Sequence, residues 1–162
     1  MKKTHFLLVL LLVLGLTRAT ALFAQSTSET LVSIASSDPD FSTLSQLIRA
    51  AGLEQTLSGP GPFTLFAPTN AAFNNLQPGA LENLLKPENK QRLVAILTAH
   101  LLNGSIHSSD FFKENELRSV QGKTLEINEQ GGKLTVDQSN VVKTDLSASN
   151  GVFHIIDKVI MP

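Results

Sequence analysis

Residues 63–73 read FTLFAPTNAAF, an apolar run that turns into a helix. The segment Phe63–Phe66 is short and mostly apolar, which favours a buried strand. Thr69 comes after a turn that contains proline, and its hydroxyl is suited to accept a hydrogen bond from a first-turn N–H group. Ala72 and Phe73 then supply the apolar contacts of that turn. The stretch therefore predicts a strand, a turn and a helix in immediate succession.

A helix is also predicted before this stretch. Asp38, Pro39 and Asp40 are typical of a helix start, because they offer a cap, a first-turn proline and a carboxylate near the positive end of the helix. Gly52 ends the helix, since glycine readily takes the left-handed conformation common at that point. The residues between follow helical spacing and carry the apolar stripe Phe41, Leu44, Leu47, Ile48 and Ala51. Residues 30–35 predict a shorter helical turn.

Two more helices are expected between residues 81 and 104. The first is short and is broken at Pro87. The second begins at Glu88, and Asn103-Gly104 is expected to end it. Its apolar face consists of Leu93, Ile96, Leu97, His100 and Leu101.

The pattern changes to short strands from Leu117 onward. Gly131-Gly132 favours a hairpin turn between two alternating segments, and the segment 142–146 repeats the alternation through Val142, Thr144 and Leu146. The segment Val152–Ile156 is apolar on both faces apart from His154, which predicts an interior strand. Helices come first and strands second, so we predict an α+β fold.

The N-terminus has the three-part layout of a secretory signal peptide. A basic start is followed by an uninterrupted apolar run at Phe6–Leu16 and by a small-residue cleavage signal at residues 19–21. A membrane anchor would need about 20 apolar residues, and this run is too short. We expect a signal peptide at 1–24 with cleavage near 21–24, a polar leader at 25–29 and one domain at 30–162. The mature chain would then be secreted, periplasmic or at the cell surface, without an integral membrane span.

Composition narrows the classes of function. The chain of 162 residues has no Cys, Trp or Tyr. Disulfides and thiolate metal sites are thereby excluded, and an aromatic sugar-binding platform is disfavoured. Loss of Lys2, Lys3 and Arg18 with the signal peptide takes the formal net charge from −1 to −4. A chain of this charge lacks the basic surface that nucleic-acid binding requires, so no nucleic-acid partner is expected.

The sequence carries none of the common catalytic motifs. It has no Gly-x-Ser-x-Gly, Ser-x-x-Lys or His-Glu-x-x-His segment, and its carboxylates are scattered. The histidines His100, His107 and His154 are not at metal-ligand spacing. The sequence therefore predicts neither an enzyme nor a metal or cofactor site. A hydrolase whose nucleophile and base are brought together only by the fold stays a distant alternative.

His100 and His154 each lie in an apolar pattern, and two interpretations apply to both. A buried histidine can have its ring nitrogens hydrogen-bonded within the fold. It can also serve as a pH-sensitive element, because its pKa lies near physiological pH.

Three segments resemble the fasciclin domain. The stretch 63–73 is similar to the first signature box of that family, and the run 150–162 (NGVFHIIDKVIMP) is similar to the second. Between them, residues 100–104 (HLLNG) resemble the central histidine segment, and residues 38–44 fit the first helix of the family. The resemblance covers about residues 30–162, and the basic signal peptide is typical of bacteria.

The resemblance implies a small β-sandwich or wedge with helices packed along one side. It also implies a non-enzymatic extracellular module for adhesion, matrix contact or biofilm formation. Its partner would be a cell-surface protein or polysaccharide, and self-association is a further option. Some algal proteins with similar boxes bind carotenoids, so the alternative function is a carrier of an apolar small molecule such as a carotenoid or lipid.

The resemblance also points to candidate interaction residues. Animal matrix members use a Tyr-His pair in the central segment, which is Ala99-His100 here, so the tyrosine is missing. They also use an Asp-Ile pair before the second box, which corresponds to Asp145-Leu146. Asp145 could meet a receptor surface from an exposed loop. Alternatively, its carboxylate accepts hydrogen bonds from backbone N–H groups in the turn toward Asn150, with Leu146 in the core.

The remaining box residues are expected to be structural, through capping, turn hydrogen bonds and core packing. They are Phe66, Pro68, Thr69, Asn70, Phe73, Asn150, Gly151, His154 and Asp157.

Overall fold

The computed structural model describes residues 29–162, so the predicted signal peptide and most of the predicted leader lie outside the described residues. The helices are α1 Leu31–Ser37, α2 Ser42–Ala51, α3 Glu54–Leu57, α4 Asn70–Asn74, α5 Ala80–Leu84, α6 Lys90–Ala99 and α7 Ser108–Phe111. Two 3₁₀ turns, Pro39–Phe41 and Pro87–Asn89, lead into α2 and α6. The strands are β1 Phe63–Pro68, β2 Leu101–Asn103, β3 Glu116–Arg118, β4 Thr124–Gln130, β5 Lys133–Val136, β6 Ser139–Ala148 and β7 Gly151–Ile156.

The described strands form one sheet in the order β2-β1-β7-β6-β5-β4-β3. The two sequence boxes meet in it, because β1 and β7 pair in parallel with Leu65 opposite Phe153 and Ala67 opposite Ile155. All the other pairs are antiparallel. β7 lies between β1 and β6, which confirms the prediction of an interior strand.

Two apolar cores form on opposite faces of β1 and β7. Leu65 and Phe153 face the helices, and Phe153 meets Phe41 edge-on with ring centroids 5.1 Å apart. Phe66 and Ile156 lie in the second core, together with buried residues of β3, β4 and β5. Successive residues of a strand point to opposite faces, so one strand pair serves both cores. The predicted α+β fold with helices along one side is confirmed.

The predicted helix boundaries hold at several caps. The Thr30 and Thr69 hydroxyls accept hydrogen bonds from Ser33 N–H and Ala72 N–H at 3.2 and 3.4 Å. The Asp38 carboxylate accepts one from Asp40 N–H at 2.9 Å. Gly52 has φ of 74°, in the left-handed region that glycine tolerates.

Two details of the sequence-based prediction were wrong. The helix expected to run to Asn103-Gly104 ends at Ala99, and β2 follows. Leu101 and Leu102 are buried on opposite faces of that strand, and the leucine pair can belong equally to a helical stripe. The alternation predicted through Val142, Thr144 and Leu146 is interrupted: Val142 is 67% exposed, because register shifts occur on both sides of Lys143.

Candidate functional site

Asp145 ties the middle of β6 to the start of α7. Its carboxylate accepts hydrogen bonds from the backbone N–H of Ser108 at 2.8 Å and from the Ser108 hydroxyl. The exposed His107 lies alongside, with its Nδ1 3.4 Å from Asp145 Oδ1. Asp145 has φ of 60°, a left-handed conformation that Asp adopts more readily than most residues. The carboxylate therefore acts as a distant cap for the first residue of α7.

The hydrogen-bond partner that we expected for Asp145 was wrong. The backbone N–H that it accepts belongs to Ser108, 37 residues earlier in the chain, and not to the turn toward Asn150. Leu146 is half-buried and packs against the helix-side core. Ser108 was missed in the sequence, although a Ser pair followed by Asp110 is a pattern typical of a helix start.

The environment of Asp145 keeps its carboxyl ionised at neutral pH. Desolvation acts to raise the pKa of Asp145, but the hydrogen bonds from the Ser108 hydroxyl and backbone N–H outweigh it and lower the pKa. The side chain remains 35% exposed. Part of the carboxylate can thus be reached from solvent.

His154 lies under Asp145 and is fully buried. Its Nδ1 accepts a hydrogen bond from the backbone N–H of Asp145 at 3.2 Å, and its Nε2–H donates to the carbonyl of Ile106 at 2.9 Å. The ring packs between Phe66 and Phe111, with centroids 5.5 and 5.1 Å away. Burial lowers the pKa of His154 and favours the neutral ring that both hydrogen bonds require.

His100 is held in the same way at the end of α6. Its Nδ1–H donates to the Ile96 carbonyl at 2.8 Å, and its Nε2 accepts from Ile160 N–H at 3.0 Å. Burial lowers the pKa of His100 to about 4. Both buried histidines thus have their ring nitrogens hydrogen-bonded within the fold, as the first of the two interpretations from the sequence describes.

The side chains at this site do not form a Ser-His-Asp triad. A Ser-His-Asp triad needs the serine hydroxyl to donate to the histidine, whereas Ser108 donates to Asp145. His154 uses both of its nitrogens within the fold and is inaccessible to a substrate. Among residues 29–162, no group of three or more metal-ligating side chains comes together.

Asn150 joins three parts of the chain. Its Oδ1 accepts from Leu31 N–H at 3.0 Å, and its Nδ2 donates to the carbonyls of Leu57 and Gly59 at 2.7 and 2.8 Å. Its backbone carbonyl accepts from Phe63 N–H at 3.0 Å. The side chain thus fixes the start of α1 and the loop before β1 against the start of β7.

Gly151 is required by close backbone approach. A Cβ atom at this position would lie 1.9 Å from the carbonyl oxygen of Phe63. Because β1 and β7 begin side by side at this point, any side chain here would force them apart.

The other box residues also have structural contacts. The Asn70 side chain accepts from Thr43 N–H at 3.0 Å and donates to the Pro39 carbonyl at 2.9 Å. The two Asp157 oxygens accept from the backbone and side-chain N–H groups of Asn140 at 2.7 and 2.6 Å. Phe66, Pro68 and Phe73 are buried.

A surface cleft, whose lining includes the neighbour of Asp145, Thr144, was not predicted from the sequence. The β5–β6 cleft has a volume of about 620 Å³. It opens because β5 pairs with β6 at only two positions, and no local sequence pattern reports where two strands separate. It is lined by Gly132, Lys133, Leu134, Asn140, Val141, Val142, Lys143 and Thr144.

No helix in the described part of the chain is long and apolar enough to cross a membrane.

The chain resembles known proteins along most of its length. It is 44% identical over 139 residues to Protein sll1483 of Synechocystis sp., an alignment that covers 86% of this chain and 77% of that protein. It is 36% identical over 133 residues to the transforming growth factor-beta-induced protein ig-h3 of Sus scrofa, which covers 82% of this chain but only 19% of the much longer relative.

The fold has a solved counterpart in a FAS1 domain pair from the insect cell adhesion molecule Fasciclin I. That structure superposes with a TM-score of 0.75 at 20% identity, over 84% of this chain and 52% of the other. The model of the fasciclin domain matches residues 39–162, the span that contains both boxes and the parallel β1–β7 pair, on whose opposite faces the two cores form. The chain therefore belongs to the fasciclin domain family.

Proposed function

We propose that this protein is a secreted, non-enzymatic adhesion module that binds a macromolecular partner at the cell surface or in the surrounding matrix. The observation that carries the proposal is membership of the fasciclin family over residues 39–162. A related structure comes from a molecule whose name describes cell adhesion.

The chemistry of the polar residues supports a binding role. The buried histidines and Asn150 use their polar atoms within the fold, and Asp145 is hydrogen-bonded to Ser108. These groups build a rigid scaffold, and neither buried histidine is hydrogen-bonded to a hydroxyl group. A rigid module with exposed loops and strand edges is suited to recognition, because little conformational entropy is lost on binding.

Asp145 contributes to this function mainly by positioning. It holds the start of α7 against β6. Its accessible carboxylate adds one negative charge to the exposed surface of the module.

Deletion of the gene in the source organism tests the proposal. We expect attachment to surfaces and cell aggregation to fall, and expression of the wild-type gene to restore them. Unchanged attachment and aggregation in the deletion strain would contradict an adhesive role. Colour or lipid that co-purifies with the protein in stoichiometric amount would favour the carrier alternative instead.

A further inference from the structure

The β5–β6 cleft exposes a strand edge. Only Thr135 and Val136 of β5 pair with β6, opposite Asn140 and Ser139. Beyond Asn140 the two strands part, so the segment Val141–Thr144 has β7 as its strand neighbour on one side and the cleft on the other. Backbone N–H and C=O groups at such an edge are available to a further strand.

The side chains at this edge combine apolar and basic character. Leu134 and Val141 are half-buried against the second core and form an apolar base. Val142 projects outward and is 67% exposed, one of few large apolar side chains so exposed in the described chain. With Leu134 and Val141 it gives the open edge an apolar surface against which side chains of a further strand can pack.

Two lysines give the cleft a positive charge. Lys133 and Lys143 both line it and are exposed, and neither forms an ion pair within residues 29–162. None of the lining residues is acidic. Asp157 contacts one lining residue, Asn140, and both of its carboxylate oxygens accept hydrogen bonds from Asn140 N–H groups. The cleft is thus a basic site on a chain whose predicted mature form is acidic.

We propose that the β5–β6 cleft binds an extended acidic segment of a partner protein, which adds as a strand along Val141–Thr144. This inference rests on the proposed adhesive function and names the chemical class of the partner. Backbone pairing would supply affinity, and carboxylates of the incoming strand would meet Lys133 and Lys143.

The same features disfavour other occupants. Lysines and irregular register on an edge strand prevent indiscriminate strand pairing, and here both flank Val142. The two lysines attract an acidic strand and repel a basic one, and a neutral strand gains nothing from their charge. The cleft lining contains no aromatic side chain on which a sugar ring could stack, which makes a polysaccharide a poorer fit.

NMR titration of the isotope-labelled protein, purified after export, tests the proposal. The probes are the peptide Glu-Val-Glu-Val-Glu-Val, its lysine counterpart Lys-Val-Lys-Val-Lys-Val, and an oligogalacturonate of similar charge. We expect saturable shifts with the acidic peptide alone, confined to the amides of residues 133–134 and 140–144. No saturable shift, shifts centred elsewhere, or equal binding of the basic peptide would overturn the proposal.

The other two occupants have their own signatures, and either would also overturn it. Binding of the oligogalacturonate but not the acidic peptide would make the site one for an acidic polysaccharide. Concentration-dependent changes at the same amides without any probe would make it an interface between two copies of the chain.

Charge reversal gives a matched comparison. K133E/K143E should weaken binding of the acidic peptide by about tenfold or more, since each reversal replaces a surface attraction by a repulsion. K86E/K90E changes two exposed lysines, before and at the start of α6 and remote in sequence from the cleft, and should leave binding unchanged. Equal weakening by both changes would point to a non-specific charge effect and against the cleft. The peptide titration uses no cells, so its failure would not contradict the adhesive function. Loss of attachment in the deletion strain would support that function whether or not the acidic peptide binds.

Discussion

The carboxylate of Asp145 accepts a hydrogen bond from the backbone N–H of Ser108 at 2.8 Å, although the two residues are 37 positions apart. The contact joins the bulged strand β6 to the one-turn helix α7. A helix this short has little stability of its own. Its position therefore depends on this contact and on burial of Phe111.

Removal of the Asp145 side chain should destabilise the protein. We expect D145A to lower the free energy of unfolding by about 1–2 kcal/mol, as loss of a helix-capping carboxylate does. Urea denaturation measures the change. Asp145→Asn keeps an acceptor for Ser108 N–H and should lower the free energy of unfolding less than D145A does. E88A, which removes an exposed carboxylate, is the control. Stability of D145A equal to that of the wild type would show that the Ser108 contact is energetically unimportant.

Loss of the Asn150 side chain should lower the free energy of unfolding more than loss of the Asp145 side chain does. N150A leaves Leu31 N–H and the Leu57 and Gly59 carbonyls without their partner in a buried setting. We expect a destabilisation of about 2–4 kcal/mol, because each buried unsatisfied group costs on the order of 1–3 kcal/mol. N75A removes an exposed asparagine at the end of α4 and should change stability little. Near-equal stability of the two variants would contradict the role given to Asn150.

A methyl group at Gly151 should prevent normal pairing of β1 and β7. The added Cβ would lie 1.9 Å from the Phe63 carbonyl oxygen, which is backbone and cannot move aside alone. We expect G151A to cost more than about 3 kcal/mol or to prevent folding. G132A is the comparison, since its Cβ would meet nothing within 4 Å and only the positive φ of 78° is strained. Thermal unfolding of both proteins checks the order, and similar melting temperatures would contradict the close approach.

Acidification should destabilise the fold before most carboxylates titrate. Burial lowers the pKa of His100 to about 4 in the folded protein, below its unfolded value of about 6.5. Between these values the unfolded chain binds more protons, so stability falls as pH drops from about 6.5 toward 4. His154 shifts in the same direction. For His100 alone the loss at pH 5 is about 2 kcal/mol.

Unfolding free energy measured from pH 7.5 to 4.5 tests this effect. H100N should be less stable than the wild type at pH 7.5, and its stability should fall less steeply with acid. Identical slopes in the wild type and H100N would contradict a neutral, buried His100.

Much of the fold follows from local patterns. The cap residues Thr69 and Asp38, the stripe of α2 and the apolar run of β7 each report a local structure that the chain adopts. The parallel pairing of β1 with β7 brings together residues about 90 positions apart, and no local pattern in the sequence predicts it. The end of α6 could not be predicted, because a leucine pair suits a helix and a strand equally.

The site was less predictable than the fold. Both buried histidines could be named from the apolar residues around them, but their partners Ile96, Ile106 and Ile160 are backbone groups that any sequence supplies. The link between Asp145 and Ser108 and the separation of β5 from β6 are tertiary features. They depend on how the sheet curves around the second core, which no local spacing encodes.

Attachment of source-organism cells to a surface coated with the purified protein tests the adhesive function most directly. Circular dichroism first establishes that the wild type and K133E/K143E are folded. We expect cells to attach to the wild-type surface well above an albumin-coated control and K133E/K143E to lose most of this attachment. Attachment to folded wild-type protein no greater than to albumin would contradict the claim that this fasciclin domain is an adhesion module.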